Sequence, residues 1–488
     1  MKYEPSLTQL APLPAILIAL GLISTLSACA VGPNYTKPET STAVQYKELV
    51  DDANHAWKLA KPNEAAMNGS WWDIYHDDVL NELMKKINLE NQNIRASDAQ
   101  YRQAVALLEQ AQAGLFPSIS ANGTASTGTS AAQRISTGNV GASWVPDLWG
   151  QVRRSIEANS ATAQASAAQL DALRLSTQAT LAQTYFQLRL ADMQIEMYDR
   201  TVQAYEKSLE MTRNRYNAGI VTQLDVSQAA TLLASTRALA IDIKLSRAQL
   251  EHAIAVLTGQ NPSGFSLPTQ VASVDPVTGV RVSPVIQLVE SLPEVPVSIP
   301  SVLLERRPDI AAAERQMAAA NAKIGVAVAA FFPNLSISAA GGYQNLSSSP
   351  LRIWSLGSGL TQPLFDAGLR SGAVSQANAA YDQSVANYRQ VVLTAFQNVE
   401  DNLVALRLLQ EESKAQSTAV KHAQNAVRVS LNQYKEGVLT YLDVVTAQAT
   451  ELSNERTLMT LLNRQIAAHV GLIAALGGDW DIKSLDKK

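Results

Sequence analysis

The chain has 488 residues, of which 47% are hydrophobic, only 6% aromatic and 17% charged, with 39 Lys and Arg against 43 Asp and Glu and a single cysteine. A net charge of −4 leaves no basic excess, which argues against nucleic acid as a main partner, because phosphate binding needs a concentrated cationic surface. One cysteine excludes an intramolecular disulfide and a cysteine-based zinc centre, and an apolar share drawn mainly from Ala and Leu favours long helices over a compact mixed core.

The first thirty residues read as targeting sequence. Residues Ala11 to Ala28 are apolar or small, interrupted only by Pro12 and Pro14, and follow a start carrying Lys2. This predicts a signal peptide over 1–28. The string Leu26-Ser27-Ala28-Cys29 abuts the sole cysteine and resembles the lipobox of bacterial lipoproteins. Cys29 is then the expected mature N-terminus and lipidation site, its acyl chains held by burial of methylenes at about 0.8 kcal/mol each. Position 30 is Ala rather than Asp, so the familiar inner-membrane retention signal is absent and the resemblance implies an outer-membrane destination. Beyond the signal no stretch approaches roughly 20 uninterrupted apolar residues, so a membrane crossing here requires strands.

Proline placement divides the remainder. No proline lies between Pro146 and Pro262 or after Pro363, which leaves two long windows without an obligatory helix breaker. In the first, Leu170, Leu173, Thr177, Leu181, Thr184, Leu188, Ala191, Ile195, Tyr198, Val202, Tyr205 and Leu209 follow steps of three and four, a seam sustained over more than five heptads. A helix from Gly150 to Tyr216 is expected, about 100 Å long at 1.5 Å per residue. Several shorter helices are the alternative, and the only glycines available to divide the window are Gly150, Gly219 and Gly259.

The chain also repeats itself. Arg215 to Val226 matches Gln433 to Val444 at an offset of 218, sharing the Gly219/Gly437, Thr222/Thr440 and Asp225/Asp443 positions. Leu115-Phe116-Pro117 matches Phe331-Phe332-Pro333 at 216, and Tyr185-Phe186-Gln187 matches Ala395-Phe396-Gln397 at 210. A tandem duplication follows, with about two helical turns moved from one side of the aromatic position to the other. The expected organisation is a 29–70 N-terminal segment, a first repeat over 71–260, a linker over 261–300, a second repeat over 301–476 and a tail over 477–488.

Each copy contains one strand-like interval. After Pro117, Ile119, Ala121, Gly123 and Ala125 alternate with Ser118, Ser120, Asn122 and Thr124, and after Pro333, Leu335, Ile337, Ala339, Gly341 and Tyr343 alternate with Ser336, Ser338, Ala340 and Gln344. Period two means strands. Turn-rich stretches at 128–130 and 347–350 divide the intervals near 117–146 and 333–363 into hairpins of roughly ten-residue strands, long enough to cross a bilayer when tilted. A soluble hairpin capping a helical bundle fits the same pattern. Four strands cannot close a barrel, for which about eight is the practical minimum, so insertion would require an oligomer, and a trimer supplies twelve strands.

The lipobox, the duplicated helix–hairpin–helix units, and the strings Leu303-Leu304-Glu305-Arg306-Arg307-Pro308-Asp309-Ile310 and Ala475-Leu476-Gly477-Gly478-Asp479-Trp480 together resemble the TolC-like outer-membrane factors, in their lipoprotein branch typified by OprM and NodT. The resemblance spans Trp71 to Trp480. It implies a mainly α protein with a small β part, a homotrimer with a twelve-stranded transmembrane β-barrel continuing into a long periplasmic α-helical barrel. It implies an exit duct of a tripartite efflux pump, fed by an inner-membrane transporter of the RND type through a periplasmic adaptor, embedded in outer-membrane lipid, with no cofactor beyond the N-terminal lipid. The strings around Gly219 and Gly437 become helix-to-helix turns at the periplasmic tip, with Val221 and Thr440 beside them as adaptor contacts. By similarity to the family gate, Tyr434 bonds Asp225, while Asp443 and Leu439 form an acidic and an apolar ring across three copies. Helix capping is the other reading of Asp225 and Asp443. Arg306, Arg307, Pro308 and Asp309 are assigned a structural role, with Asp309 or Glu305 as ion-pair candidates.

Catalysis has little support. His55, His76, His252, His422 and His469 are scattered and read as solvated or helix-face residues, and no metal-spaced pair or P-loop is present. A duct for type I protein secretion and a structural periplasmic coiled-coil lipoprotein are the alternatives. With eight Met and no His/Met cluster, nothing points to copper or silver as cargo.

Overall fold

The computed structural model describes residues 30–39, 45–49, 57–59, 70–126, 135–271, 273–274, 281–282, 284–297, 305–346 and 349–480. The signal peptide expected over 1–28 and the lipidation site expected at Cys29 lie outside these residues. Helices are α1 (Asp78–Glu90), α2 (Gln92–Ala113), α3 (Gln151–Asn217), α4 (Gln223–Leu257), α5 (Pro284–Glu290), α6 (Pro308–Ala329), α7 (Leu369–Lys435) and α8 (Tyr441–Ala475). Strands are β1 (Trp57–Leu59), β2 (Ser118–Ser126), β3 (Ile135–Trp144), β4 (Ser273–Val274), β5 (Arg281–Val282), β6 (Val295–Val297), β7 (Asn334–Leu346) and β8 (Ser349–Thr361). The fold is mainly α with a small β part.

The duplication is visible in the lengths. Helices α2 and α6 have 22 residues each, α3 and α7 have 67, and α4 and α8 have 35. The helix expected from Gly150 to Tyr216 therefore forms as one continuous element, α3, with α4 following it in the same proline-free window, and none of the twelve seam residues from Leu170 to Leu209 is exposed. The shifted aromatic position leaves the total length unchanged, because the turns lost before Phe396 are regained after it. Helix α8 is long and apolar enough to cross a bilayer by composition, but 61% of its apolar window is buried inside the protein, as expected of a core helix.

Two compact units emerge, and neither coincides with a repeat. The first is drawn from within Met1–Thr40, Ala99–Ala167 and Ala311–Gln390, the second from within Ser41–Asp98, Ala168–Ile310 and Val391–Lys488. The first holds a four-stranded antiparallel sheet in the order β2-β3-β7-β8. Pairing register and pleat put Ile119, Val140, Ala142, Ala339, Trp354 and Leu356 on one face, and Asn122, Thr124, Thr137, Asn139, Ser338 and Gln344 on the other. Thr124 and Thr137 hydroxyls bond at 2.5 Å and those of Ser118 and Ser143 at 3.0 Å. The apolar face is open to the surroundings, with Ile119 75%, Trp354 84% and Leu356 72% exposed. Such a surface requires a non-aqueous neighbour.

The same unit clamps the first described residues. Buried Arg154 donates through Nε to the Val31 carbonyl (3.2 Å) and through Nη2 to the Gly32 carbonyl (3.3 Å) and Asn34 Oδ1 (2.8 Å). The Val31 N–H donates to the Trp149 carbonyl at 3.1 Å, the Asn321 amide to the Pro33 carbonyl at 3.1 Å, and the Tyr35 hydroxyl to Glu314. Gly32, at φ +93°, lies so close to Gly325 that a Cβ would sit 2.5 Å from its Cα.

The second unit buries an aromatic group. Trp71, Tyr75, Tyr185 and Phe186 are buried, Tyr75 and Phe186 meet edge to face at 4.9 Å, and the Tyr185 hydroxyl donates to Asp77 at 2.6 Å. Among the histidines, His469 departs from the helix-face expectation. It is 0% exposed, with Nε2 2.8 Å from the Pro293 carbonyl and Nδ1 2.8 Å from the Tyr75 hydroxyl. A carbonyl can only accept, so Nε2 carries the proton and Nδ1 accepts from Tyr75. A buried ion group ties the segment after α4 to the helices. Asp192 receives Arg247 Nε at 2.8 Å, Arg189 Nη1 at 3.3 Å and the Gln270 N–H at 3.1 Å, while the two arginines also donate to the Leu267 and Pro268 carbonyls.

Candidate functional site: the paired helix turns

Each long helix ends in the same way. After α3, Gly219 at φ +72° lets the Ile220 N–H reach the Arg215 carbonyl (2.9 Å) and the Gly219 N–H the Tyr216 carbonyl (2.9 Å). After α7, Gly437 at φ +78° allows Val438 to Gln433 (2.9 Å) and Gly437 to Tyr434 (3.0 Å). This glycine-terminated closure satisfies the last carbonyls and turns the chain within a few residues. Thr222 and Thr440 then open α4 and α8. The Asp225 carboxylate accepts from the Thr222 N–H and hydroxyl, both at 2.7 Å, and Asp443 accepts from the Thr440 N–H at 3.0 Å and its hydroxyl at 2.6 Å. Both aspartates are therefore helix-capping residues first.

Beneath the turns lies a small core. Tyr205, Leu209, Val226, Ala229, Leu233, Tyr434, Tyr441 and Val444 form one buried cluster, with Val221 packed on it. All four helices contribute, so the two turns are mechanically joined. Tyr434 and Tyr441 meet edge to face at 5.3 Å, the Tyr205 hydroxyl donates to the Gln448 carbonyl at 2.9 Å, and Ser208 and Tyr441 hydroxyls lie 3.1 Å apart. Burial raises the Tyr441 pKa, so the group stays a neutral phenol.

The expected Tyr434–Asp225 bond is not formed. The Tyr434 hydroxyl is buried with no partner among the described residues, and the Asp225 carboxylate is engaged by Thr222. Tyr434 is instead held through its backbone and ring: the Arg215 guanidinium donates to the Tyr434 carbonyl and stands 4.5 Å from the ring centroid. Sequence reasoning missed Arg215 and Tyr441. The signal available was the broken repeat symmetry, where Arg215 aligns with Gln433 and Tyr441 with Gln223. Tyr216 and Tyr434 occupy equivalent positions, yet the first is 43% and the second 1% exposed. Leu439 is half-buried and Asp443 exposed, and Ile220, Leu224, Val438 and Leu442 add exposed apolar surface at the turns.

The 306–309 string and the C-terminal string meet each other. Arg307 grips Asp309 in a two-pronged pair (Nε–Oδ1 2.9 Å, Nη2–Oδ2 2.5 Å) and donates Nη1 to the Ala475 carbonyl at 3.0 Å. Pro308 starts α6, where its missing N–H costs nothing. Gly477, at φ +95°, packs so tightly on Arg306 that a Cβ would lie 1.9 Å from its carbonyl oxygen. Of the two ion-pair candidates, Asp309 is the partner. No group of three or more His, Cys, Asp or Glu able to hold a metal occurs among the described residues.

Residues 83–260 and 299–478 match the family model for outer membrane efflux proteins. The chain is 29% identical over 475 residues, 93% of each chain, to a probable efflux pump outer membrane protein, TtgC, of Pseudomonas putida. It is 26% identical over 480 residues, covering 96% of this chain and 99% of the other, to the cation efflux system protein CusC of Escherichia coli. Among solved structures, the outer-membrane channel OprN superposes with a TM-score of 0.78 at 27% identity, over 93% of this chain and 100% of that one.

Proposed function

The chain belongs to the outer membrane efflux protein family, and from that premise we propose that three copies form the passive exit duct of a tripartite pump, gated at the paired helix turns. It is an outer-membrane channel of an efflux system. The observation that carries the oligomer is the open four-stranded sheet. Its outer strands β2 and β8 each pair on one side only, and its apolar face is uncovered. In hydrocarbon every backbone N–H and C=O must be paired, so such a sheet enters a bilayer only as part of a closed barrel. Three copies give twelve strands, with the Ser/Thr/Asn face lining a wet lumen.

In that assembly Asp443 recurs three times around the axis and Leu439 beside it, an acidic ring against an apolar constriction. Tyr434 acts as the buried pivot of the turn rather than as a hydrogen-bonding latch. The exposed Val438, Leu442, Ile220 and Leu224 suit contact with a periplasmic adaptor, which receives cargo from an inner-membrane transporter. Small toxic or amphipathic compounds are the cargo class, transport rather than catalysis is the activity, and acyl chains on Cys29 add a second hold on the outer membrane.

Accumulation of a fluorescent dye in cells lacking the gene tests the duct. Restoration of efflux by the plasmid-borne chain is expected, and no restoration in a strain stripped of redundant ducts would turn the reading toward protein secretion. For the gate, Leu439→Gly with Asp443→Ala should raise single-channel conductance in planar bilayers, and unchanged conductance removes the assignment. Cys29→Ser should abolish the lipid mass, and an acylated variant removes the lipobox.

A further inference from the structure

A single charge stands on the four-stranded sheet. Strands β2, β3, β7 and β8 contain no Asp, Glu, Lys or His, and Arg352 on β8 is their only charged residue. The stretches 118–144 and 334–361 hold no acidic residue, and their one other basic residue, Arg134, directly precedes β3 and lies outside the described residues. Pairing register decides which way Arg352 faces. It lies opposite Tyr343, Tyr343 opposite Gly138, and Gly138 opposite Gly123, so these four form one row across the sheet. Residues two apart on a strand share a face. Arg352 is therefore on the apolar face with Trp354 and Leu356, not on the Ser/Thr/Asn face. Its guanidinium stands 5.6 Å from the Tyr343 ring centroid, and the side chain is exposed.

The row also has a definite depth. Helices α2 and α6 lead into β2 and β7, and β3 and β8 lead into α3 and α7, so one end of the sheet adjoins helices and the other carries the hairpin turns. In an outer-membrane channel whose helices span the periplasm, the hairpin end faces the cell exterior. The apolar face starts near the helices at the Leu335–Leu360 pair and reaches Tyr343–Arg352 eight residues later. At ~3.4 Å per residue this is about 27 Å along the strand, or about 20 Å of depth at a tilt of roughly 40°. Arg352 thus stands at the outer border of an apolar band about 25 Å tall, not at its middle. An arginine is costly at the bilayer midplane and nearly free at the border, where its long side chain reaches the headgroups.

We propose that Arg352, Tyr343 and Trp354 form a binding site for the phosphorylated headgroup of an outer-leaflet glycolipid. The site rests on the barrel proposed above and names a lipid that it holds. Charge complementarity selects the ligand. A cation on a lipid-facing surface requires a counter-anion, and no strand of this copy or a neighbouring one supplies it, since none contains a carboxylate. A phosphate group accepts two parallel N–H bonds from the guanidinium fork. The surface beside Arg352 suits the sugar that carries the phosphate. Gly123, Gly138 and Gly341 leave a floor without side chains next to Tyr343, and a Cβ on Gly138 or Gly341 would meet nothing within 4 Å. Tyr343 is 53% and Trp354 84% exposed, so two amphipathic rings border that floor at headgroup level. The acyl chains then lie along Trp354, Leu356 and Ile119.

Native mass spectrometry of the purified full-length protein tests the site, with bisphosphorylated lipid A, dephosphorylated lipid A and phosphatidylglycerol as separate probes. The wild-type protein should take up bisphosphorylated lipid A in preference to the dephosphorylated form by about tenfold, the loss expected when a charged group forfeits its hydrogen-bonded partner. Arg352→Gln should bind the bisphosphorylated lipid about tenfold more weakly than wild type, and Arg352→Lys should recover part of the difference, because it keeps the charge without the fork. Equal affinity of wild type and Arg352→Gln overturns the proposal. So does equal uptake of the two lipid A forms by the wild-type protein, a comparison that needs no variant to fold. Phosphatidylglycerol binding as tightly as bisphosphorylated lipid A overturns the glycolipid assignment. Planar-bilayer conductance of the same preparation separates the two readings: a conducting channel without the phosphate preference refutes this site alone, and a protein that does not insert refutes the barrel on which it rests.

Discussion

His469 makes stability depend on pH in a calculable way. Burial lowers its pKa from 6.5 to about 4, opposed only partly by its bond to the Pro293 carbonyl. The folded chain therefore keeps the ring neutral where the unfolded chain protonates it. Its contribution is complete above pH 6.5, is lost as the pH falls from 6.5 toward 4, and does not change further below that. At 1.36 kcal/mol per tenfold change in proton affinity, the full loss is about 3 kcal/mol per chain, with about 2 kcal/mol gone by pH 5. His469→Gln retains a donor for Pro293 and an acceptor for Tyr75 but does not titrate. Guanidinium unfolding of both proteins in a non-ionic detergent, at steps from pH 8 to pH 4.5, isolates the effect, since all other groups are shared. The wild-type advantage over the variant should shrink on acidification by roughly the amount above. Parallel stability curves would refute the reasoning, because they would mean that the ring either titrates normally when folded or gains a counter-charge the geometry does not contain.

Asp192→Ala leaves Arg189 and Arg247 facing each other without their shared carboxylate and should cost about 3–5 kcal/mol; earlier proteolysis of the 265–271 segment reports it, and an unchanged melting temperature contradicts it. Gly477→Ala should be far more harmful than Gly219→Ala although both residues have positive φ, because the added methyl meets the Arg306 carbonyl at 1.9 Å in the first and nothing within 4 Å in the second; comparable expression and melting of the two variants would be inconsistent with that difference. Thr222→Ala removes the hydroxyl shared with Asp225 and should destabilise the turn by about 1 kcal/mol, seen as faster amide exchange in the first turn of α4 with little change in α8.

Much of the fold was legible because its signals are local and repeated. Two proline-free windows and a three-four apolar rhythm are enough to specify α3 and α7, and the alternation after Pro117 and Pro333 specifies the strands and their faces. The site was harder. Asp225 follows Thr222 by three residues, and that spacing favours a capping box, whose bonds form within one turn of backbone before any distant tyrosine can compete. The family pattern pointed to Tyr434 and the local chemistry to Thr222, and the local chemistry prevails. The Arg307–Ala475 contact joins residues 168 apart, which no windowed reading reveals. His469 could have been recognised as buried: Ile466, Ala468, Val470, Leu472 and Ile473 surround it, and a helix that is apolar all round is a core helix.

The clamp on Val31, Gly32 and Asn34 has a temporal side. Its partners on α3 are some 120 residues downstream, and Asn321, which holds Pro33, is 288 residues away in sequence. At roughly 5–20 residues per second of synthesis, the N-terminal segment waits on the order of 15–60 s between its own emergence and the emergence of α6. For the first part of that interval the segment has none of these partners, and it gains Arg154 well before it gains Asn321. The clamp is therefore complete only once α6 has been made, although the residues it holds stand near the start of the chain.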